Sequence, residues 1–302
     1  MGCKTMKNNR FNTVFPIFAK KITVMQLIID SGSTKMEWIL LDGKTVKNRF
    51  TTEGYNPNYS DIQILAKTCK DVSLPDKIQS IHYYGTGCGN EQNRQLINKV
   101  FQDRFPKAEI HVTHDLMAVC HAVLGHGKGI ACILGTGSNS CVYDGENITE
   151  KAVSLGYLLG DEGSGMHIGR EVVRRYFYGF MPEDLRQKFA ETYPLELSDF
   201  IQTLYHNAQP SKYLASFAKF AGENQSHPYI HALVKDCFKA FIEAFVVRFN
   251  GCKSLKVSFV GSVAYHFQDL LRETLADQGF SMGDVLQSPS IGLIRYYGGC
   301  FV

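Results

Sequence analysis

The chain lacks the features that mark several large classes of protein. No apolar run in its 302 residues is long enough to cross a membrane, and no low-complexity tract is present. The net charge is only +3, and five of the basic residues precede residue 25, where no acidic residue occurs. The remainder is close to neutral and has no electrostatic footprint of nucleic-acid binding. We therefore expect a globular protein without a membrane or nucleic-acid partner.

Residues 1–24 lack the regular apolar pattern found later in the chain. Residues 11–19 are mildly apolar behind basic residues and so imitate a weak signal peptide. Asn12 and Pro16 interrupt this stretch, and Lys20 and Lys21 follow it directly, which favours a loose tail. We predict that the first strand starts at Met25, which is also a candidate for the native start.

Paired cysteines are missing as well. The nine cysteines are scattered, mostly within apolar runs, and an odd number without ligand-like spacing argues against a disulfide framework and a zinc site. We interpret them as small buried hydrophobic residues of a protein in a reducing cytoplasm. His114, His121 and His126 lie near one another without an acidic partner at metal-site spacing, and we interpret them as structural.

Two common phosphate-binding motifs are absent, GxxxxGK[ST] and a GxGxxG that opens a helix. Instead, glycine and hydroxyl residues follow apolar strands at 30–34, 135–139 and 261–262, and a glycine-acid loop covers 160–165. Glycine lets backbone N–H groups approach an anion, and serine and threonine add hydroxyl donors. Such a turn between two strands can hold a nucleotide phosphate, and Asp30 can hold Mg²⁺ through water. Taken alone, however, a glycine turn is usually an ordinary hairpin.

The same order of elements occurs twice in the chain. The predicted strands are 25–30, 35–41, 46–52, 78–84, 109–113, 130–134, 140–143 and 256–260, and the predicted helices are 91–101, 116–124, 165–180 and 233–249. The pairs Asp42-Gly43 and Asp144-Gly145 are hairpin signals at matching places. This repetition indicates a duplicated unit, with chance similarity of two hairpins as the alternative. The pattern predicts an α/β architecture with two lobes and a cleft.

Four motifs carry a resemblance to a known family. IIDSGSTK, ILGTGSNS, GDEGSG and FVGSVA occur in this order, and GTGSN at 135–139 followed by GDEGS at 160–164 is the most specific part. The arrangement resembles the N-acetylglucosamine kinase and BadF/BcrA-type ATPase group of the actin-like sugar kinase superfamily. The first turn departs from the family, since Ser31-Gly32-Ser33 has fewer glycines than the family often shows.

The resemblance implies two ribonuclease-H-like lobes with ATP between them. The N-terminal lobe would comprise residues 25–124, which the segment 290–302 can join, and the C-terminal lobe residues 125–289 with helical insertions. The residues assigned to ATP are Ser31, Gly32, Ser33, Thr34 and Lys35 in the first phosphate loop, Gly135, Thr136 and Gly137 in the second, and Gly261 and Ser262 beside the adenosine. Asp30 is assigned to Mg²⁺.

Asp115 is the candidate catalytic residue. It ends a predicted strand in HVTHDLMAV, where an aspartate either caps the following helix or faces a cleft. The resemblance favours the cleft, because the family places its catalytic aspartate in a matching DA segment, although Leu116 stands here in place of alanine. It implies that Asp115 is the general base that accepts the proton of a sugar hydroxyl.

Sugar binding is assigned to Asn58, Ser138, Asn139 and Asp161. Asp161 precedes a predicted helix, where an acidic side chain is also favoured as a cap. Asn58 in EGYNPNY best matches the family's asparagine, and its amide can bond two hydroxyls. Asn56 is the competing choice, and an Asn-Pro turn is the simplest alternative.

The main functional hypothesis is an ATP- and Mg²⁺-dependent kinase of an amino sugar. N-acetylglucosamine is the first expected substrate, followed by N-acetylmuramic acid and glucosamine. One alternative is an ATPase that activates a partner redox enzyme, although such activators need cluster-binding cysteines and none has an evident ligand spacing here. The other is a sugar-sensing protein without catalysis. The family further implies a cytoplasmic homodimer.

Overall fold

The computed structural model describes residues 24–32 and 35–299, so the predicted tail lies, apart from Val24, outside the described residues. The elements of this part, in chain order, are β1 (Met25–Ser31), β2 (Lys35–Asp42), β3 (Thr45–Glu53), α1 (Ile62–Asp71), β4 (Ser80–Gly85), α2 (Glu91–Arg104), β5 (Glu109–His114), α3 (Asp115–Val123), β6 (Gly129–Leu134), β7 (Ser138–Tyr143), β8 (Ile148–Lys151), α4 (Gly156–Leu159), α5 (Gly165–Phe177), α6 (Glu183–Thr192), α7 (Leu197–His206), α8 (Pro210–Ser216), α9 (Ala218–Glu223), α10 (Pro228–Phe245), β9 (Lys256–Val260), α11 (Ser262–His266), α12 (Gln268–Asp277), β10 (Ser281–Leu286) and α13 (Ser290–Tyr297).

The first sheet has the strand order β3-β2-β1-β4-β5. β1, β2 and β3 form an antiparallel meander, and β4 and β5 continue the sheet parallel to β1. Leu27, Ile28 and Ile29 in the central strand have no exposed surface. The continuous apolar run of β1 is thereby explained, because a central strand covered on both faces needs no polar side.

The second sheet repeats this order as β10-β9-β6-β7-β8. β6, β7 and β8 form the meander, and β9 and β10 run parallel to β6. The match of strand order and direction confirms the duplicated unit and the predicted α/β class with two lobes. The helices α4 to α10 are inserted between β8 and β9, and their aromatic side chains, among them Phe189, Phe220 and Phe241, form the core of this lobe.

Two helices, α3 and α13, lie between the sheets. The core they share combines Ile28 and Ile39 of the first sheet with Ala131 and Cys141 of the second, and Leu293 of α13 is fully buried in it. α13 also packs against β2, although it follows the whole second sheet in the chain. The lobe boundaries drawn from the sequence stay predictions.

Some predicted elements differ from those observed. The prediction that 256–260 is the last strand was wrong, because β10 follows it, and α1 and β8 were also missed. Gly283 in the middle of β10 lies so close to Ser258 that an added Cβ would be 2.2 Å from its Oγ, and the pairing with β9 shifts register beside it. A strand interrupted by such a glycine has no clear alternation in its sequence. The helix predicted at 165–180 ends at Phe177, and Gly179 has a left-handed φ of 72°.

Among the described residues, no helix is both long and apolar enough to span a bilayer. The seven cysteines in this part of the chain are free and buried, in agreement with their interpretation as small hydrophobic residues.

Candidate active site

The carboxyl ends of three parallel strands meet at one edge of the first sheet. β1 ends in Asp30 and Ser31, β4 is followed by Thr86, and β5 leads directly into Asp115, the first residue of α3. Such an edge is where ligands bind in open α/β sheets. The backbone N–H of Thr86 donates to the carbonyl of Ser31 at 3.0 Å, which joins two of these strand ends.

The first predicted phosphate loop lies between β1 and β2. The Gly32 N–H donates to the carbonyl of Lys35 at 3.0 Å. The Ser31 hydroxyl is fully buried and donates to the carbonyl of Tyr55 at 3.1 Å, so only the backbone of Ser31 is left for a phosphate. Ser33 and Thr34 lie outside the described residues.

Asp30 lies in an acidic environment. Its burial first, and then the nearby carboxylates of Asp115 and Glu37, raise its pKa to about 7, while Lys35 partly offsets them. Among the described residues, no group of three or more acidic, histidine or cysteine side chains is arranged to enclose a metal ion.

One oxygen of the Asp115 carboxylate is hydrogen-bonded, and the other is buried beside a histidine without a hydrogen-bond partner among the described residues. Thr86 Oγ1 donates to Oδ2 at 2.9 Å, and Nδ1 of His114 lies 2.6 Å from Oδ1. Burial alone would raise the pKa of Asp115, but the contacts with His114, Thr86 and the Leu116 backbone outweigh it and lower this pKa. Asp115 is therefore ionised and oriented, and the cap of α3 is His114 rather than Asp115.

The second predicted phosphate loop connects β6 and β7. The first backbone N–H groups of α5 donate into it, from Gly165 to the carbonyl of Gly135 at 2.8 Å and from Met166 to that of Thr136 at 3.1 Å. The N-terminus of a helix thus supports the turn. The side chain of Thr136 is exposed.

Asp161 contacts this loop from the other side. Its carboxylate accepts the backbone N–H of Ser138 at 3.0 Å, and its backbone has the left-handed φ of 59°, unusual for a residue other than glycine. Burial chiefly raises its pKa, which the Ser138 hydrogen bond opposes. The structure therefore brings together the residues assigned to sugar and to phosphate in this lobe.

Gly261 borders the same loop at the end of β9. Its φ is 137°, and an added Cβ would be 2.1 Å from the carbonyl oxygen of Leu134. Only glycine permits this approach. A cavity of about 760 Å³ opens beside the two turns. Its lining includes Gly135, Thr136, Gly165, Ser262, Val263, Lys212, Lys219 and His266.

The side chains of the two remaining sugar-site candidates, Asn58 and Asn139, accept hydrogen bonds from other residues of the protein. Asn58 is exposed, and its Oδ1 accepts a hydrogen bond from Asn93 Nδ2 at 2.9 Å. Asn56, the competing choice, is buried, and its Oδ1 accepts the backbone N–H of Asn58 at 3.0 Å, the geometry of an Asx turn. Asn139 accepts the backbone N–H of Ser140 at 2.9 Å.

Three residues at this edge were not assigned from the sequence. Thr86 holds Asp115, and the signal was its place in Gly85-Thr86-Gly87 after a strand. Glu37 is a buried carboxylate that pairs with Arg49 and accepts the Ser290 hydroxyl at 2.6 Å. Its partners are 12 and 253 residues away, so no local pattern identifies it. His114 was interpreted as structural, yet it contacts Asp115.

No protein-family model matches the chain. None of the curated proteins is similar to it in sequence. Among solved structures, a candidate N-acetylglucosamine kinase from Porphyromonas gingivalis is 36% identical, with a TM-score of 0.85 over 92% of this chain and 100% of that one. A candidate N-acetylglucosamine kinase from Chromobacterium violaceum is 16% identical, with a TM-score of 0.70 over 91% and 99% of the two chains. MamK bound to AMPPNP is 11% identical, with a TM-score of 0.50 over 92% and 98%.

The last two similarities show the fold alone, that of the actin-like ATPases. The first is high enough, over nearly the whole chain, to show the family. It agrees with the order of the four motifs and with the two matching sheets. The chain belongs to the N-acetylglucosamine kinase family of the actin-like sugar kinases.

Proposed function

We propose that this sugar kinase transfers the γ-phosphoryl group of ATP to a hydroxyl of an amino sugar, with Asp115 as the general base. The observation that carries the proposal is the position of Asp115, which lies at the edge of the first sheet with Thr86 bound to one carboxylate oxygen and His114 next to the other. Phosphoryl transfer needs an oriented acceptor for the hydroxyl proton and little other covalent chemistry from the protein.

The nucleotide would bind along the two glycine turns. Gly135 and Thr136 line the cavity of about 760 Å³ together with Ser262, and this cavity has room for an adenosine. Lys212 and Lys219 add positive charge at its wall. The phosphates would extend from there toward Gly137 and the first turn, where Gly32 and Lys35, with Ser33 and Thr34, are proposed to contact them.

Asp30 is proposed to hold Mg²⁺. Its carboxylate lies in the field of Asp115 and Glu37, and a divalent cation would relieve this repulsion. The described residues do not enclose a metal on their own, which suits an ion that keeps several waters and binds phosphate oxygens. When bound, Mg²⁺ would neutralise charge on the phosphates.

The protein's own groups then have separate tasks. Asp115 stays ionised, because its pKa is lowered, and accepts the proton of the attacking sugar hydroxyl. Thr86 keeps the carboxylate in one orientation. Closure of the two lobes would exclude water, which otherwise hydrolyses ATP.

N-acetylglucosamine is the proposed substrate, supported by the name of the 36% identical relative. Asn58, Ser138, Asn139 and Asp161 are proposed to bind its hydroxyl and amide groups. N-acetylmuramic acid and glucosamine remain rivals within the same class. We further propose that the protein acts as a homodimer in the cytoplasm.

The test is a coupled assay of ATP consumption with a panel of amino sugars. We expect N-acetylglucosamine to stimulate ADP formation most strongly, and no stimulation by any sugar would remove the kinase proposal. Asp115→Asn should lower kcat by roughly a hundredfold or more while nucleotide affinity is nearly unchanged. Normal turnover of this variant would show that another group is the base.

A further inference from the structure

His114 occupies a position between the two lobes and beside the proposed base. It is the last residue of β5 in the first sheet, and its Nδ1 lies 2.6 Å from Oδ1 of Asp115. On the opposite side of the ring, Nε2 lies 3.4 Å from Nζ of Lys151, the last residue of β8 in the second sheet. One imidazole ring thus connects an amine of one lobe with the carboxylate of the other.

The Nδ1 atom faces two groups with opposite requirements. The backbone N–H of Leu116 lies 3.1 Å away and can donate only if Nδ1 has a free lone pair. The carboxylate oxygen of Asp115 can only accept, so it needs a proton on Nδ1. The first arrangement caps α3, and the second holds the base. The neutral tautomer without a proton on Nδ1 can therefore cap α3, and the neutral tautomer with a proton on Nδ1 can donate to Asp115.

Lys151 distinguishes between these tautomers. An ammonium group has three donors and no acceptor, so it can hydrogen-bond Nε2 only when Nε2 is unprotonated. In the neutral ring the proton is then on Nδ1, the ring atom 2.6 Å from Oδ1 of Asp115. A doubly protonated ring would be repelled by the lysine. The contact from the second lobe therefore favours the one state of His114 that donates to the base.

We propose that His114 is a positioning residue for Asp115, and that Lys151 of the opposite lobe selects the His114 tautomer that donates to the Asp115 carboxylate. This inference rests on the proposed function, in which Asp115 is the base. Thr86 holds Oδ2, whereas the buried Oδ1 has no hydrogen-bond partner in the described part of the chain, and a proton on the neighbouring Nδ1 of His114 would supply the donor that it lacks. Each oxygen would still keep a lone pair for the sugar proton. Alignment of the base thereby depends on contact between the lobes.

Three variants of His114 separate this role from helix capping. His114→Ala removes both functions, and we expect kcat to fall roughly tenfold to a hundredfold with the KM values for sugar and ATP changed by no more than about twofold. His114→Asn provides an amide that can donate to Asp115, so it should recover most of kcat. His114→Asp keeps a side chain that can cap α3, but it places a negative charge against the base.

The pH profile of kcat is expected to differ between His114→Asp and the parent protein. The charged or titratable groups facing Asp115 are Asp30 on β1, Cys88 before α2, His114 on β5 and, through it, Lys151 on β8. Adding a negative charge at position 114 disfavours the ionised base, so the acidic limb of the profile should move to higher pH. We expect His114→Asp to be as impaired as His114→Ala at neutral pH. Full activity of His114→Asp would overturn the proposal.

Lys151 is tested by a double-mutant cycle. Lys151→Met should lower kcat severalfold in the presence of His114 and have little further effect in the His114→Ala background. Lys107→Met, which changes an exposed lysine in the turn before β5, is the matched control and should retain parental kcat. If the Lys151 and His114 substitutions lowered kcat independently, Lys151 would not act through His114.

The outcomes also separate this inference from the proposed function. Two outcomes would show that only the positioning role is wrong, provided that Asp115→Asn is inactive. In the first, His114→Ala retains parental kcat. In the second, His114→Ala and His114→Asn lose kcat equally. If Asp115→Asn keeps normal turnover, the assignment of the base is wrong and the positioning role falls with it.

Discussion

The carboxylate of Asp161 lies directly over Gly137. A Cβ added to Gly137 would be 3.0 Å from each of the two carboxylate oxygens. The same carboxylate accepts the backbone N–H of the next residue, Ser138, at 3.0 Å. The glycine-acid loop and the second predicted phosphate loop are therefore one packed unit, although they are separated by more than twenty residues in the chain.

Gly137→Ala tests this packing. The added methyl group pushes the Asp161 carboxylate away from Ser138, and the left-handed backbone of Asp161 loses the hydrogen bond that holds it. We expect kcat/KM for the sugar to fall roughly tenfold or more, measured in the coupled assay. Gly135→Ala is the matched variant, because its added Cβ meets nothing within 4 Å. It should leave the melting temperature unchanged and raise only the KM for ATP, since Gly135 lines the proposed nucleotide cavity.

Gly261→Ala tests the approach of β9 to β6. The new Cβ would be 2.1 Å from the carbonyl oxygen of Leu134, which is backbone and cannot move aside, and the φ of 137° is unfavourable for alanine. We expect a loss of about 2 kcal/mol or more in the free energy of unfolding, measured by urea denaturation. Gly222→Ala in α9, whose Cβ would only reach ordinary contact with Phe267, should not destabilise the protein. Equal stability of the Gly261 variant would contradict the described turn.

Asp30→Asn tests the acidic environment of the first turn. The unfolded chain ionises Asp30 near its ordinary pKa of 3.8 and the folded chain near about 7. Because the folded state holds the proton more tightly, its stability decreases as pH rises from 3.8 to 7, and the full penalty persists above 7. Without Mg²⁺ and nucleotide, Asp30→Asn should raise the free energy of unfolding at pH 8 by roughly 1–4 kcal/mol and have little effect near pH 4.

The same variant should be inactive in the kinase assay, and added Mg²⁺ should not change its stability. Asp103→Asn, an exposed aspartate on α2, is the control and should behave like the parent. A loss of stability at pH 8 in Asp30→Asn would contradict the raised pKa.

Two partly buried histidines should make the fold sensitive to acid. Burial lowers the pKa of His82 to about 3 and that of His121 to about 4, from an ordinary value of 6.5. Below pH 6.5 these histidines are therefore protonated in the unfolded chain but stay neutral in the folded chain. The free energy of unfolding decreases as pH falls from 6.5 toward 4, by up to about 1.4 kcal/mol per pH unit for each histidine.

His121→Gln should flatten this dependence in urea denaturation at pH 4.5 to 7. Tyr297→Phe is the control, because it removes the hydroxyl that bonds Tyr84 at 2.5 Å without removing a group that titrates in this range. In the Tyr297→Phe variant, the free energy of unfolding should be lower by about 1 kcal/mol at every pH. An unchanged slope in His121→Gln would show that His121 does not contribute to the acid sensitivity.

Local sequence patterns were sufficient to predict the class of fold and the positions of the turns. The apolar runs of β1 and β6 and their glycine turns are local features, and the repeat of these features predicted two similar α/β units, which the matching strand orders confirm. Asp115 was recognised as a candidate because it follows an apolar strand. The inferences about the fold succeed because each depends only on neighbours in the chain, whereas the role of Asp115 stays a prediction.

Which side chains contact one another became clear from the three-dimensional arrangement. The sequence left Asp115 open between helix cap and base, and the cap proved to be His114, whose ring lies between Asp115 and a lysine of the other lobe. Glu37 became part of the site through Ser290, which is 253 residues away. Ser31 was predicted to bind phosphate through its hydroxyl, but the pleat of β1 directs this hydroxyl into the core, toward the carbonyl of Tyr55. Contacts across sheets and between lobes depend on register and packing, and no local pattern contains that information.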